Sequence, residues 1–396
     1  MSNERYEKTV RKYKISIITP VHIGNGNKLS QVDFVLDKGM LRVIDIDEVI
    51  SKIQNNQKAL AIFNLQDNPE ALINEFEQGR FNMKEFLDAY KISYSSVEKY
   101  SCRCSYSNPR EISEFMKTGL GRPYIPGSSI KGALRTVILW HLIKDSKPKE
   151  VTDRLEQILN PDVGEKQDNN LLNKHLFGKN PNYDFLRGLQ VGDAGFEIKD
   201  IAAGETKVLN IDENRQYGWK KLGKYGFTTH NHKEATSIFT EMLNKEATSE
   251  VAIKIESFLF DYPLAKKQLG FNDKKKYLTQ LAKKCNEYAK EFIKNELDFY
   301  HSYKMNPLEK FYEQLQVPDD NDGFLLHLGW GSGWRGMTGN WLDDKYLRRF
   351  REKFSMRKSF GEWQQFPIFP KTRKIIFENN QPYPLGWVKM EEVKNG

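Results

Sequence analysis

Tyr124-Ile-Pro-Gly-Ser-Ser-Ile-Lys-Gly-Ala-Leu-Arg135 runs from a proline-stiffened loop straight into a long apolar period. Ile130, Ala133, Leu134, Val137, Ile138, Trp140, His141 and Leu142 approximate one broad buried face, which predicts a helix starting near Ile130 with Ser129 as its cap. Gly127 and Gly132 bracket the entry, where uncovered N–H groups point outward. With Ser128, Ser129 and Lys131 beside them, such N–H groups can hold phosphate. Lys131 and Arg135 are four apart and share a helix face, either as a cationic pair for an anion or as solvated charges beside a structural turn. The wider segment from Gly119 lacks the ordered Gly-x-x-x-x-Gly-Lys-Ser/Thr pattern, so nucleotide hydrolysis finds no support in it.

On either side of this block the chain alternates between strand-like and helix-like stretches. Residues 11–19 carry the β-branched and aromatic content of a strand that Pro20 stops, and 33–46 read as a hairpin turning at Asp37-Lys38-Gly39. From Asp47 to Lys117 the spacing turns helical, as in Val49-Ile50-x-x-Ile53 and Phe81-x-x-x-Glu85-Phe86-Leu87. Residues 144–182 form a charged helix–loop excursion, 186–196 and 250–260 are strand candidates, and 263–315 are lysine-rich helices. Pro382 to Val388 reads as a terminal turn and strand.

Two further segments are glycine-rich. Thr19-Pro-Val-His-Ile-Gly-Asn-Gly-Asn-Lys28 places Gly24 and Gly26 in a tight loop with Lys28 as a cation, suited equally to a turn or to close approach of a phosphate backbone. His22 there is either a structural histidine or a general base for RNA cleavage, since imidazole titrates near neutrality. Leu326 to Gly339 holds five glycines, at 329, 331, 333, 336 and 339. Within it, Trp330 and Trp334 suit base stacking and Arg335 suits phosphate binding, unless they face the core. His327 fits a ligand role or a buried polar role equally. A basic run, Arg348, Arg349, Arg351, Lys353, Arg357 and Lys358, extends a positive surface or is a plain solvated face.

Composition narrows the classes. The 396 residues suggest two domains, and 61 Lys plus Arg against 53 Asp plus Glu leave a net charge of +8, which favours an anionic partner. The first eleven residues are too charged for a secretory signal and no run is long enough to cross a bilayer, so a cytoplasmic protein without a membrane is expected. Cys102, Cys104 and Cys285 form neither a disulfide scaffold nor a Cys-x-x-Cys site, and His230 and His232 lack companions, so no metal and no cofactor are expected.

In order, Thr19–Gly26, Tyr124–Arg135, Leu328–Trp334, Phe369-Pro-Lys-Thr-Arg373 and Gly386-Trp-Val388 resemble the RAMP superfamily of type III CRISPR systems, in particular the fifth Csm-type subunit of the type III-A effector complex. The resemblance implies an α+β fold of two ferredoxin-like, RNA-recognition-motif-like domains with helical insertions and glycine-rich loops. Its expected division is 1–195, with an insertion at about 47–117, and 196–396, with an insertion at about 263–315. It implies an RNA-contacting role for Gly127, Ser128, Ser129, Lys131, Gly132 and Arg135, for Gly24 and Gly26, and for Gly329, Gly331, Gly333 and Trp334. The implied partners are the crRNA, other complex subunits, above all the repeated backbone subunit, and a host maturation nuclease. The implied role is a noncatalytic cap on the backbone filament near the crRNA 3′ end. Two alternatives stand beside it: a metal-independent endoribonuclease using His22, and a protein-interaction scaffold without RNA contact.

Overall fold

The computed structural model describes residues 8–63, 82–104, 106, 109–160, 172–212, 214–221, 228–354, 368–378 and 380–394. Phe81, Arg357 and Lys358 from the sequence reading lie outside them.

The strands are β1 (Lys8–Ile17), β2 (Gly24–Ser30), β3 (Phe34–Asp37), β4 (Met40–Ile44), β5 (Glu98–Cys104), β6 (Glu111–Phe115), β7 (Tyr124–Ile125), β8 (Leu189–Val191) and β9 (Ala194–Gly195). They continue as β10 (Ile201–Ile211), β11 (Tyr217–Lys220), β12 (Thr228–Thr229), β13 (Ile238–Leu243), β14 (Thr248–Glu256), β15 (Phe324–His327), β16 (Thr372–Glu378), β17 (Gln381–Pro384) and β18 (Trp387–Glu392). The helices used below are α1 (Ile46–Ile53), α2 (Gln57–Phe63), α3 (Met83–Ala89), α4 (Gly127–Asp145), α5 (Pro148–Leu159), α6 (Leu281–Ser302), α7 (Gly333–Thr338) and α8 (Asp344–Lys353).

One sheet has the order β15-β18-β1-β14-β8, antiparallel throughout. With α4 between β1 and β8, and α6 between β14 and β18, the four strands β18-β1-β14-β8 follow the β-α-β-β-α-β ferredoxin-like pattern, and β15 is an added edge. The helices lie side by side: His141 Nε2 is 2.8 Å from the Lys284 carbonyl oxygen, and Trp140 meets Tyr288 edge-on at 5.8 Å. The larger sheet follows β2-β6-β13-β10-β5-β4-β3, with β11, β12, β16 and β17 attached to it through β10. Both sheets take strands from either side of residue 195: β1 pairs with β14 and β18, and β5 pairs with β10. The molecule is therefore an α+β fold with helical insertions, one of its sheets ferredoxin-like.

Most of the local reading is seen. The hairpin β3–β4 turns at Lys38 (φ 49°) and Gly39 (φ 78°), a pair of left-handed residues that matches the twist of the strands. The 263–315 region is helical, and β14 covers the first part of the strand expected over 250–260, which ends at Glu256 because Phe258–Asp261 turns into a short helix. Two readings need correction. Among the described residues of the stretch 47–117, helix is found in α1, α2, α3 and a 3-10 turn at Tyr94–Ser96; the stretch ends in β5 and β6, whose Cys102, Cys104, Ile112 and Phe115 are buried in the core. Their pairing to β4, β10, β2 and β13 overrides a weak local preference. Gly24 and Gly26 lie not in a free loop but at the start of β2, where the pairing with β6 is irregular between Gly24 and Lys28.

Candidate nucleic-acid interface

Helix α4 begins three residues before the expected start. Pro126 is its N-cap and Ser129 makes no capping bond; instead the Asp193 carboxylate accepts from Gly127 N–H at 2.7 Å. Gly127 is required by packing, since a Cβ there would sit 2.2 Å from the Val191 carbonyl oxygen. A carboxylate on the first N–H of the helix takes the place that an external anion would otherwise fill. Ile130, Leu134, Val137, Ile138, His141 and Leu142 form the buried face, spaced three and four apart as anticipated.

The first and third glycine segments meet beside this helix. Trp330 N–H donates to the His22 carbonyl oxygen at 2.9 Å, and Gly386 N–H to that of Pro20 at 2.9 Å. Gly329 has φ 73°, and a Cβ on it would lie 2.4 Å from the His22 oxygen, so only glycine permits the junction. The result is one open cleft of about 670 Å³ lined by Gly24, Gly26, Lys28, Ser129, Gly132 and Gly329, among others. Ser113, Thr136 and Ser332 also line it, the Thr136 and Ser332 hydroxyls donating to the Gly132 and Gly329 oxygens at 3.2 and 2.9 Å. Segments far apart in sequence, two strand ends and a helix, are thus brought to a single surface.

Below the cleft lies a polar network. Glu241, fully buried on β13, accepts from the Tyr100 hydroxyl at 2.6 Å, from Phe115 N–H at 2.8 Å and from the Lys117 ammonium. Three donors, one of them a cation, satisfy a carboxylate that would otherwise be costly to bury. The Glu241 backbone oxygen is 2.6 Å from His22 Nδ1; a carbonyl only accepts, so Nδ1 carries the proton and Nε2 the lone pair. Burial pushes the His22 pKa below its ordinary value. His327 donates from Nε2 to the Leu385 oxygen at 2.7 Å and stacks on Trp387 at 4.6 Å, and burial pushes its pKa down to about 4. His327 is thus half-buried, hydrogen-bonded and stacked, and it also lines the cleft.

The remaining candidates lie elsewhere. Lys131 Nζ donates to the Leu189 oxygen at 2.7 Å, while Arg135 donates to Asp184 at 2.7 Å and sits 3.7 Å from the centre of the Phe177 ring. Both line a different cleft, on another side of α4. Ser128 is exposed at the helix start. Gly331 is held against Leu385, Gly333 (φ 67°) faces open space, and Trp334 packs edge-on against Phe369 at 5.0 Å. Arg335 reaches Asn295 on α6 at 3.5 Å. Trp330 is pinned by Lys374, whose ammonium lies 3.5 Å from the ring centre and donates to the Trp330 oxygen at 2.8 Å. In the basic run, Arg349 pairs with Glu156 on α5, and Lys353 donates to the Asn160 oxygen at 2.7 Å. His232 stacks on Phe377 at 4.3 Å. The sequence reading missed Thr136, one turn beyond Gly132 on the same face, and Glu241, an acid beside apolar Met242 and Leu243; i,i+4 spacing would have found the first.

A model of the RAMP superfamily matches residues 14–336, a span that includes all three walls of the cleft. The chain belongs to the RAMP superfamily. This RAMP chain is 26% identical over 426 aligned residues to the Methanocaldococcus jannaschii protein named CRISPR system Cms protein Csm5, covering 100% of this chain and 93% of that one. A Streptococcus thermophilus protein of the same name is 31% identical over 137 residues, 33% of this chain and 38% of that one. In fold, the RAMP chain matches a chain of a cryo-EM structure of a Csm–crRNA–target RNA ternary complex of a type III-A CRISPR-Cas system, with TM-score 0.67 and 23% identity over 97% of this chain and 100% of that one. It also matches a crystal structure of T. onnurineus Csm5, with TM-score 0.64 and 20% identity over 95% and 99% of the two chains. Among the described residues of this RAMP chain, no helix is long and apolar enough to cross a membrane.

Proposed function

We propose that the chain is a noncatalytic crRNA-binding subunit of a type III-A CRISPR effector complex, the counterpart of its Csm5 relatives. In this reading it caps the backbone filament near the crRNA 3′ end, contacts the repeated backbone subunit, and influences crRNA maturation and assembly in the cytoplasm. The observation that carries the reading is the convergence of three glycine-rich segments on one open cleft. Gly26 and Gly132 leave space there in which a Cβ would touch nothing, so a sugar-phosphate backbone can come close to the main chain. The Ser129 hydroxyl and the Lys28 ammonium, which also pairs with Glu111 at 2.6 Å, supply donors that read charge and shape rather than base identity, as a guide of variable sequence demands. The full-length likeness to a protein named Csm5 supports the same assignment.

Cleavage at His22 is disfavoured by the same geometry. Burial holds both His22 and His327 neutral near pH 7, and each commits one ring nitrogen to a backbone carbonyl. Neither imidazole is then a protonated acid for the other.

The test is retention of guide-like single-stranded RNA by the purified chain, alone and with the backbone subunit, followed by analysis of the RNA ends. Intact, bound RNA is expected. A 2′,3′-cyclic phosphate product lost in His22→Ala would overturn the noncatalytic assignment, and no retention in either setting would overturn RNA binding itself.

A further inference from the structure

The cleft that receives Lys131 and Arg135 is distinct from the glycine-lined one and has the opposite character. It encloses about 530 Å³, and its charged lining is Lys131, Arg135, Lys174, Lys179 and Arg187 against the single carboxylate of Asp184. That carboxylate is already satisfied, by Arg135 at 2.7 Å and by the Leu186 N–H at 2.9 Å. Lys131 is turned inward to the Leu189 oxygen. Lys174, Lys179 and Arg187 are exposed at the rim.

The loop beneath is built to hold them there. Gly178 has φ 146°, and a Cβ on it would lie 1.9 Å from the Tyr183 oxygen, so the chain closes tightly on itself and brings Lys179 over the Tyr183 ring at 3.9 Å. Arg187 Nη1 donates to the Asn182 oxygen at 2.5 Å, which fixes its guanidinium with other N–H groups still available. Five cations around one neutralised carboxylate repel one another, and an external anion relieves that repulsion.

We propose that this second cleft binds phosphate groups of the RNA strand, with Lys174, Lys179 and Arg187 as the contacting side chains and Lys131 and Arg135 as the inner charges that shape the field. The proposal rests on the reading that the chain binds RNA. It adds a separate site, placed so that helix α4 is shared: Ser129, Gly132 and Thr136 face the glycine cleft, and Lys131 and Arg135 face this one. An α-helix is only about 10–12 Å across, so one strand passing over the first turns of α4 reaches both. That continuity, together with cations packed on the Tyr183 and Phe177 rings, favours nucleic acid over an acidic protein segment.

The experiment is equilibrium binding of fluorescent single-stranded RNA to the full chain across a salt series. It compares wild type, Lys174→Ala/Lys179→Ala/Arg187→Ala, and Gly132→Gln, with polyglutamate as competitor. The triple variant is expected to bind more weakly and to lose about 0.7 from the log–log salt slope per phosphate contact, about 2 in all. Gly132→Gln is expected to bind more weakly with little change in slope. Because the three rim residues are exposed, the triple variant should keep the wild-type urea midpoint; should it shift, Lys174→Glu alone carries the same slope test. An unchanged slope with weakened Gly132→Gln overturns this cleft and leaves the proposed function standing. Wild type that fails to bind RNA both alone and with the backbone subunit overturns both. Polyglutamate that binds wild type more tightly than RNA does, and loses that binding in the triple variant while RNA binding is unchanged, overturns the assignment to nucleic acid in favour of an acidic protein partner.

Discussion

The floor and the rim of the glycine-lined cleft are made of the same residue type for opposite reasons. At the floor, Gly329 and Gly331 would each push a Cβ to within 2.4 Å of neighbouring atoms, the His22 oxygen and Leu385 Cβ. Around them, Glu241 and His22 are buried and Lys117 and His327 half-buried, all of them hydrogen-bonded. At the rim, a Cβ on Gly26 or Gly132 meets nothing within 4 Å. Floor glycines are explained by the fold alone. Gly132, inside a helix where glycine costs about 1 kcal/mol relative to alanine, is not, and its presence asks for something outside the chain.

Substitutions at the floor should therefore act on stability first. Lys117→Met removes the cation facing Glu241 and should cost about 3–5 kcal/mol, read as a lower urea midpoint. Wild-type stability in that variant would mean that the buried carboxylate needs no counter-charge. Gly329→Ala combines a left-handed backbone with a collision and should cost toward the top of the roughly 1–3 kcal/mol range for overpacking. A near-neutral effect would place Gly329 with the rim.

Acid titration sharpens the contrast. His327 in the folded chain accepts a proton only near pH 4, whereas the unfolded chain accepts it near 6.5. The unfolded state thus binds more protons in that window. Stability present above pH 6.5 is lost as pH falls toward 4, by up to about 1.4 kcal/mol per pH unit. Denaturation of His327→Gln at several pH values should show a flatter dependence than wild type; parallel curves would remove His327 from the buried floor.

How much of this was legible in the sequence depended on range. The β3–β4 hairpin and the apolar face of α4 are written in neighbouring residues, Lys38-Gly39 and the spacing from Ile130 to Leu142, and both are found where expected. The coming together of Gly24, Ser129, Gly132 and Gly329 depends on β1 lying between β14 and β18, a pairing of chain ends that no local window contains. For the same reason Lys131 and Arg135 looked like a free cationic pair, although their partners, the Leu189 oxygen and Asp184, come from about fifty residues later. Asp193 as the anion at the start of α4 was hidden in the same way.

The most direct test of the central claim is a paired measurement on Gly132. Gly132→Ala should raise stability by about 0.5–1 kcal/mol, because an open helical glycine is replaced by a better helix former. Gly132→Gln, at least as stable as wild type, should bind single-stranded RNA distinctly more weakly. Undiminished RNA binding by Gly132→Gln would contradict the account, for the rim would then have no ligand to accommodate.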